Sequence, residues 1–279
     1  MGISVITVTN RHGGIDVAWS SLRRQTFKTF EWILYDTLYQ ERKDAVASYT
    51  NGDPRVVHRQ QHPKEPTAKT WLAHAQNQAF LHGRGQLIVL LQDYIHVRPD
   101  ALEKFWLQYQ ANPKVFVSGV GHQYGRPGKE DVADPHGLIT VFKKPFERQP
   151  ELIVWSDPRV TTNHGSYYPC QPNDWEGNWA MIPRQAIEEI GGWDESYDAV
   201  GHAWDNVSVA QRAFALGYEP YLDQSNESFS IRHDDFFDTT VKEHDAGAIA
   251  AYHQARMAEL AAGRAPIKLP YLDNYRLTS

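Results

Sequence analysis

The sequence predicts an α/β fold built on a mostly parallel sheet. Short β-branched segments alternate with segments of helical length through the first half of the chain. Residues 87–91 (L-I-V-L-L) form an uninterrupted apolar run, which is typical of a strand covered on both faces of a parallel sheet. The chain has 279 residues, of which 41% are hydrophobic, so we expect one large domain or two fused half-domains with a substantial core.

The first 91 residues predict four strands and two helices. Residues 3–9 (I-S-V-I-T-V-T) form a β-branched run that ends in a polar turn at 10–14. Asp36 and Asp93 each follow a predicted strand, and ligands of open α/β sheets bind beyond the carboxyl ends of the strands. The sequence therefore predicts a ligand site at this edge. The predicted elements are strand 3–9, helix 16–24, strand 31–36, strand 55–58, helix 70–81 and strand 87–91.

The remaining residues predict further helices and strands around one long loop. Residues 121–178 are rich in Gly, Pro, His and Trp and show little periodicity, and long loops in compact domains are usually functional. Residues 241–262 predict an Ala-rich helix that can pack on its own domain or pair with a second copy, which leaves a homodimer open. The other predicted elements are helix 101–109, strand 115–120, helix 183–190, helix 207–216, strand 219–222 and a tail at 266–279.

Composition favours a soluble, cytoplasmic protein. The single cysteine, Cys170, excludes an internal disulfide framework and favours a reducing compartment. No run reaches the roughly 20 apolar residues of a membrane span, and the N-terminus lacks the basic and apolar regions of a signal peptide. The net charge is -6, and acidic residues outnumber basic residues over 190–245, which argues against a broad phosphate-binding surface.

Two runs of motifs carry the functional information. The first consists of T-V-T-N-R at 7–11, S-L-x-x-Q-T at 21–26 and F-E-x-x-x-x-D at 30–36. The second consists of G-G-W-D-E at 191–195, W-D-N-x-S-x-x-x-R at 204–212 and G-Y at 217–218. Together these motifs resemble the family 2 glycosyltransferases. The resemblance implies a GT-A (Rossmann-like) three-layer α/β/α sandwich, as a single compact domain plus a C-terminal helix.

The resemblance also divides the chain by role. It makes residues 1–120 the nucleotide-sugar-binding half, residues 121–238 the acceptor-binding and catalytic half, and residues 239–279 the C-terminal helix and tail. It implies an enzyme that moves a sugar from a nucleotide-diphosphate sugar, with a UDP-sugar favoured, to an acceptor hydroxyl with inversion. The residues that the resemblance implies for donor binding are Thr9, Asn10, Arg11, Asp36, Lys69, Asn77, Gln92 and Asp93.

A divalent cation is implied by the turn Gln92-Asp93-Tyr94, which lies where the family carries a D-x-D metal motif. A cation held by carboxylates neutralises the charge of the departing diphosphate, and Mn²⁺ or Mg²⁺ suits such oxygen ligands. This chain keeps one carboxylate of the motif, Asp93. Related enzymes place a histidine near the position of His233, so we expect Asp93 and His233 to be metal ligands, with Asp234 or Asp235 available to add an oxygen.

Asp205 is the candidate general base. An inverting transfer needs a carboxylate that removes the proton of the attacking hydroxyl, and Asn206, which occupies the next position of the motif, cannot do so. Asp205 could also cap the helix predicted at 207–216, and the two roles can coexist. Acceptor contacts are implied for Trp179, Trp193, Asp194 and Glu195, although either tryptophan fits the core equally well.

Three functions remain open from the sequence. The first is the metal-assisted, inverting transfer of a sugar to a saccharide or another hydroxyl acceptor. The second keeps the enzyme but makes the acceptor a modified base in DNA, since a fold does not fix a substrate. The third is a non-catalytic module that binds a nucleotide sugar or a glycan, because Gln92, Tyr94, Asn206 and Ser208 replace residues that are often acidic in the family.

Overall fold

The computed structural model describes residues 1–10, 14–62, 68–124, 153–160, 165–201, 204–231 and 246–278. The strands are β1 (Ile3–Thr9), β2 (Phe30–Asp36), β3 (Val56–Gln60), β4 (Leu87–Leu91), β5 (Ile95–Val97), β6 (Val115–Tyr124), β7 (Ile153–Ser156), β8 (Tyr167–Pro169), β9 (Trp179–Pro183) and β10 (Glu219–Ile231). The helices are α1 (Ile15–Leu22), α2 (Tyr39–Tyr49), α3 (Leu72–His82), α4 (Ala101–Ala111), α5 (Arg184–Ile190), α6 (Asp205–Ala215), α7 (Ala246–Ala261) and α8 (Tyr271–Thr278). Among these residues, no helix combines the length and the hydropathy that crossing a membrane requires.

These strands form a single sheet. Its order is β3-β2-β1-β4-β9-β6-β10-β5, with β7 beside β6 and β8 beside β10. The pairs β3-β2, β2-β1, β1-β4 and β6-β10 are parallel. Because β9 runs antiparallel to both β4 and β6, the two parallel groups point in the same direction. The mostly parallel sheet predicted from the sequence is confirmed.

Helices cover both faces of the sheet. Successive side chains of a strand point to opposite faces, and in β1 Ile3 and Val5 join a core cluster with α1 and α4, whereas Ile6 joins a second cluster with α3, α5 and α6. In β4, Ile88 and Leu90 belong to that second cluster, and the alternate leucine and valine side chains belong to the first. The three-layer α/β/α arrangement expected from the sequence is confirmed.

The structure also contains elements that the sequence did not reveal. Every strand and helix expected before residue 91 is present, but α2, β5 and β9 were missed. α2 buries only Val46, so its sequence lacks the apolar stripe that marks a helix. β10 extends nine residues past the predicted end at residue 222, because a bulge between Asp223 and Glu227 interrupts the alternation of its side chains. The long loop expected over 121–178 contains the end of β6, β7 and β8.

The C-terminal residues pack on the same chain. Ile249 in α7 and Leu272 in α8 are buried, and the backbone N–H of Leu269 donates a hydrogen bond to the carbonyl oxygen of Ile190 at 2.9 Å. The expectation of a tail after residue 266 was wrong, because most of it forms α8. The expected homodimer through the C-terminal helix has no support, since these buried side chains are covered within one chain.

We predict that Gly191→Ala lowers the free energy of unfolding more than Gly52→Ala does. Both glycines have a positive φ, which costs alanine about 1–2 kcal/mol. A Cβ on Gly191 would in addition overlap the carbonyl oxygen of Leu269, whereas a Cβ on Gly52 would meet nothing within 4 Å. Overlap of this kind adds about 1–3 kcal/mol. Urea denaturation of the two variants measures the difference, and equal losses would contradict the packing of the C-terminal residues on α5.

Candidate active site

The carboxyl ends of β1, β2 and β4 are joined by hydrogen bonds between buried polar side chains. The Thr9 hydroxyl at the end of β1 donates to Asp93 Oδ2 at 2.7 Å. At the end of β2, the Arg42 guanidinium donates to both carboxylate oxygens of Asp36, each at 2.7 Å. His58 Nε2 lies 2.9 Å from Asp36 Oδ2. Asp36 and Asp93 thus lie at the same edge of the sheet.

Asp36 is committed to partners within the protein. Burial alone would raise the pKa of Asp36, but hydrogen bonds from His58 and Arg42 outweigh that effect and hold the pKa below its usual value. The Asp36 carboxylate is therefore ionised and fully buried. The two partners of Asp36 are partly accessible, because the side chains of Arg42 and His58 are 14% and 10% exposed.

The turn after β4 presents a single carboxylate. Asp93 is 4% exposed, and the backbone N–H of Gln92 donates to the carbonyl oxygen of Asn178 at 3.1 Å. Tyr94 has a left-handed φ of 64°, and its buried ring lies so close to Gly14 that any Cβ there would overlap it. The Tyr94 ring therefore packs inside the protein against Gly14. Within this turn, Asp93 is the residue that offers a carboxylate oxygen to a cation.

Few of the described side chains near this turn could bind a metal ion. Within the described ranges, no group of three His, Cys, Asp or Glu side chains could hold a metal ion. His233, Asp234 and Asp235 lie outside the described residues, as does Arg11 of the donor prediction. Asp93 still fits a divalent cation, because Mg²⁺ is commonly held by one or two carboxylates together with substrate phosphates.

Asp205 is the first residue of α6. The N-cap residue is Trp204, so the helix begins two residues earlier than expected and Asp205 does not cap it. Asp205 is 2% exposed, and a carboxylate in the first turn is stabilised by the positive end of the helix dipole. The next residue, Asn206, uses its side-chain oxygen to accept a hydrogen bond from Trp193 Nε1 at 2.9 Å.

Residues 176–178 connect the start of α6 to the turn after β4. The Asn178 carbonyl oxygen holds the backbone of Gln92, next to Asp93. Gly177 lies so close to the Asn206 amide that a Cβ at this position would overlap it. The residue before Asp93 and the residue after Asp205 therefore contact the same three-residue stretch.

The residues that precede α6 form a segment, 191–198, that other elements hold in place. The Asn77 amide in α3 donates to the Trp193 carbonyl oxygen at 3.0 Å and accepts from the Trp193 N–H at 2.8 Å. Arg212 in α6 is buried, and its guanidinium donates to the carbonyl oxygens of Ile190 and Gly192, both at 2.8 Å. Burial lowers the pKa of Arg212 to about 10.

Two sequence expectations are corrected by these contacts. Asn77 was expected to bind the donor, but the residue is fully buried and its amide is used by Trp193 and by Glu195, 2.8 Å away. Trp193 was expected to border the acceptor, but its ring is fully buried and has no accessible face for a sugar. Both residues instead stabilise segment 191–198.

Asp194 and Glu195, also expected near the acceptor, anchor the C-terminal helices. Arg256 in α7 donates to Asp194 Oδ2 at 2.8 Å, and the Tyr275 hydroxyl in α8 donates to Glu195 Oε1 at 2.6 Å. Burial would raise the pKa of Asp194, but hydrogen bonds from Ser196 and Arg256 hold it below its usual value. Both carboxylates are thus engaged in contacts within the protein, and their role toward the acceptor stays a prediction.

Asp198 is a structural residue that the sequence did not reveal. Its carboxylate accepts hydrogen bonds from the backbone N–H groups of Ala73 and His74 at 3.1 and 3.0 Å, and from the Thr70 hydroxyl at 2.9 Å. These N–H groups lie at the start of α3 and have no acceptor within the helix. No local pattern could show this contact, because the partners are more than a hundred residues apart.

The remaining predicted residues lie at or near the sheet edge. Asn10 and Lys69 are exposed, and Lys69 precedes α3 instead of lying within it. Trp179 is only 2% exposed, and its indole N–H donates to Asn226 Oδ1 at 3.2 Å. Trp179 is thus mainly a core residue whose edge borders a cleft.

That cleft contains charged residues that were not predicted from the sequence. Arg159 donates to both carboxylate oxygens of Asp157, and its guanidinium lies 3.5 Å from Glu176 Oε2. Trp155 lines the same cleft and is 44% exposed. The D-P-R triplet at 157–159 and the E-G-N triplet at 176–178 lie in the aperiodic region. Their only signal in the sequence is a charged residue followed by proline or glycine.

Comparison with known proteins gives a family and a fold. The model of the family described as Glycosyl transferase family 2 matches residues 4–168. The chain is similar to the crystal structure of GalNAc-T7 with UDP, GalNAc and Mn²⁺, at 13% identity and a TM-score of 0.64, over 92% of this chain and 48% of that chain. This chain therefore spans about half the length of that one. No curated protein matched.

We predict that Asn77→Ala destabilises the protein without weakening UDP binding. The change removes both hydrogen bonds to the Trp193 backbone, and each buried group left without a partner costs about 1–3 kcal/mol. Urea denaturation measures the loss, and titration calorimetry with UDP at a temperature where the variant is folded measures binding. Asn173→Ala, at an exposed asparagine, should change stability by less than about 0.5 kcal/mol. Normal stability with weaker UDP binding would restore Asn77 to the donor site.

Proposed function

Because the chain belongs to glycosyl transferase family 2 and has the GT-A fold that its motifs predicted, we propose that it is an inverting glycosyltransferase with Asp205 as general base. The enzyme transfers a sugar from a nucleotide-diphosphate sugar to an acceptor hydroxyl, assisted by a divalent cation. The observation that supports this proposal is that the residue before Asp93 and the residue after Asp205 both contact residues 176–178. One site can then hold the departing diphosphate and the attacking hydroxyl.

The donor lies, in this proposal, over the carboxyl ends of β1 and β4. In this proposal Thr9, Asp93 and Gln92 contact the donor at the sheet edge, and the exposed Asn10 and Lys69 contact the nucleotide. A UDP-sugar is favoured as donor, since the similar structure of GalNAc-T7 was determined with UDP. Asp36 acts on the nucleoside indirectly, by fixing the partly accessible Arg42 and His58 side chains near the end of β2.

Asp93 is the residue that would hold the cation, together with His233. The Thr9 hydroxyl donates to one Asp93 oxygen, which orients the carboxylate as outer partners of metal ligands commonly do. A bound Mn²⁺ or Mg²⁺ would supply charge neutralisation for the departing diphosphate.

Asp205 removes the proton of the acceptor. As the acceptor oxygen forms its bond to the anomeric carbon, its proton moves to the Asp205 carboxylate, and the bond between the anomeric carbon and the diphosphate oxygen breaks with its electron pair leaving on the diphosphate. Asn206 cannot replace the base, because an amide oxygen is far too weak a base, and this oxygen already accepts from Trp193. The low exposure of Asp205 restricts the direction from which a hydroxyl can approach.

We predict that Asp205→Asn lowers kcat by about 10²- to 10⁴-fold, the range expected for loss of a general base. The substitution keeps the size of the side chain, so the affinity for UDP should stay within about twofold. Release of UDP from a set of UDP-sugars, measured with a coupled assay, gives kcat. Asp44→Asn, at an exposed aspartate of α2, serves as the matched control and should keep full activity. Full turnover by Asp205→Asn would eliminate Asp205 as the base.

We also predict that binding of UDP depends on a divalent cation through Asp93. Ligands that bind only the folded protein raise its melting temperature, so UDP should raise that of the wild type more with Mn²⁺ than with EDTA. Asp93→Asn should remove most of this difference, and the Mn²⁺ signal in electron paramagnetic resonance should no longer broaden when UDP and the variant are mixed. Equal UDP shifts with Mn²⁺ and with EDTA, together with full activity in EDTA, would refute the role of the cation.

A further inference from the structure

The cleft beside residues 176–178 is a second feature of the sheet edge. It is formed where β6, β7, β9 and β10 meet, and its lining includes Trp155, Glu176, Asn178 and Gly121. Asn178 holds the backbone next to Asp93, and Gly177 contacts the residue that follows Asp205. Residues 176–178 therefore contribute to the cleft and also contact the Asp93 turn and the start of α6.

The lining of the cleft is polar with one aromatic face. Hydroxyl and amide side chains contribute much of the lining, among them Ser118, Gln123, Ser228 and Ser230. Trp155 presents a ring that is 44% exposed. Aromatic rings with an accessible face suit ligands that combine an apolar surface with polar edges, and the C–H face of a sugar ring is such a surface.

The charges of the cleft disfavour a phosphate. Arg159 is the only cation among the described residues of the lining, and its guanidinium is engaged by Asp157, Ser118 and the carbonyl oxygen of Asp174. Glu176 is half exposed, so its carboxylate can accept hydrogen bonds from hydroxyl groups. Nucleic acids are bound largely through phosphates paired with Lys and Arg, and the described lining offers no such pairing.

We propose that this cleft is the acceptor subsite and that it takes a neutral sugar ring, stacked on Trp155 and hydrogen-bonded by Glu176. This inference rests on the proposed function, since the sugar is placed there to present a hydroxyl to Asp205. It assigns the acceptor to the saccharides in preference to a base in DNA. Trp155 and Glu176 then determine which sugars bind.

Gly121 allows the cleft to be filled without disturbing the fold. It lies in β6, and a Cβ there would have its nearest neighbours at 3.8 Å, the Ser228 hydroxyl, and at 3.9 Å, the Trp155 ring. Both distances are ordinary van der Waals contacts. Gly119, two residues away, could not serve, because its Cβ would overlap the Trp179 ring. Gly121→Ala and Gly121→Val therefore add one and three carbons to the cleft in steps.

The test is saturation-transfer NMR with the methyl glycosides of glucose, galactose, mannose and N-acetylglucosamine as probes, in the presence of UDP and Mn²⁺. We expect at least one probe to bind the wild-type protein saturably. Trp155→Ala should weaken the binding of this probe by about 3- to 10-fold, the value of an aromatic contact. Gly121→Val should weaken it by at least as much, and the affinity of Gly121→Ala should lie between those of the wild type and Gly121→Val. Glu176→Gln, which keeps the shape, should change the order of preference among the probes. Leu107→Ala, at an exposed leucine of α4, is the matched control and should bind as the wild type does.

Three results would overturn the inference: no probe binds the wild-type protein, the bound probe is unaffected by Trp155→Ala and by both Gly121 variants, or a single-stranded oligonucleotide binds in the cleft and loses affinity in those variants. The melting temperature of each variant shows whether it is folded.

Hydrolysis of UDP-sugars by the wild type separates the two proposals. Hydrolysis without glycoside binding rejects the subsite and keeps the transferase, whereas glycoside binding without any UDP binding keeps a sugar site and rejects the transferase.

Discussion

The position of Asp205 depends on hydrogen bonds that hold segment 191–198 from three sides. Asn77 of α3 fixes the Trp193 backbone, Arg212 of α6 binds the carbonyl oxygens on either side of Gly191, and Arg256 of α7 pairs with Asp194. Arg212 is fully buried, and removing a buried charge's partners is strongly destabilising. The segment thus joins α3, α6 and α7 into one unit.

A second constraint concerns the stretch between the proposed donor and acceptor sites. Residues 176–178 lead directly into β9, which runs antiparallel between two parallel groups of strands. The same three residues touch the Asp93 turn, the start of α6 and the polar cleft. A Cβ on the glycine in the middle would overlap the Asn206 amide, so a side chain there would force that amide to move.

Sequence patterns predicted the strands and the residues at their ends, because these depend on neighbouring residues of the chain. The apolar run of β4, and the carboxylates that end β2 and follow β4, were enough to place Asp36 and Asp93 at one edge of the sheet. The roles of Asn77, Asp194 and Asp198 could not be predicted, because each is defined by partners 62 to 125 residues away in the chain. The motif resemblance selected Asn77 and Asp194, and both make buried hydrogen bonds within the protein. A motif alone could not distinguish such a structural side chain from one that binds substrate.

The stereochemistry of the reaction tests most directly whether Asp205 acts as a base opposite the departing diphosphate. Water can replace the acceptor hydroxyl, so no acceptor has to be known. The protein is mixed with UDP-glucose, in which the sugar is α-linked, and proton NMR records the released glucose before its anomers equilibrate. The proposed mechanism predicts that β-glucose appears first. Release of α-glucose as the first product would contradict an inverting reaction and, with it, the role assigned to Asp205.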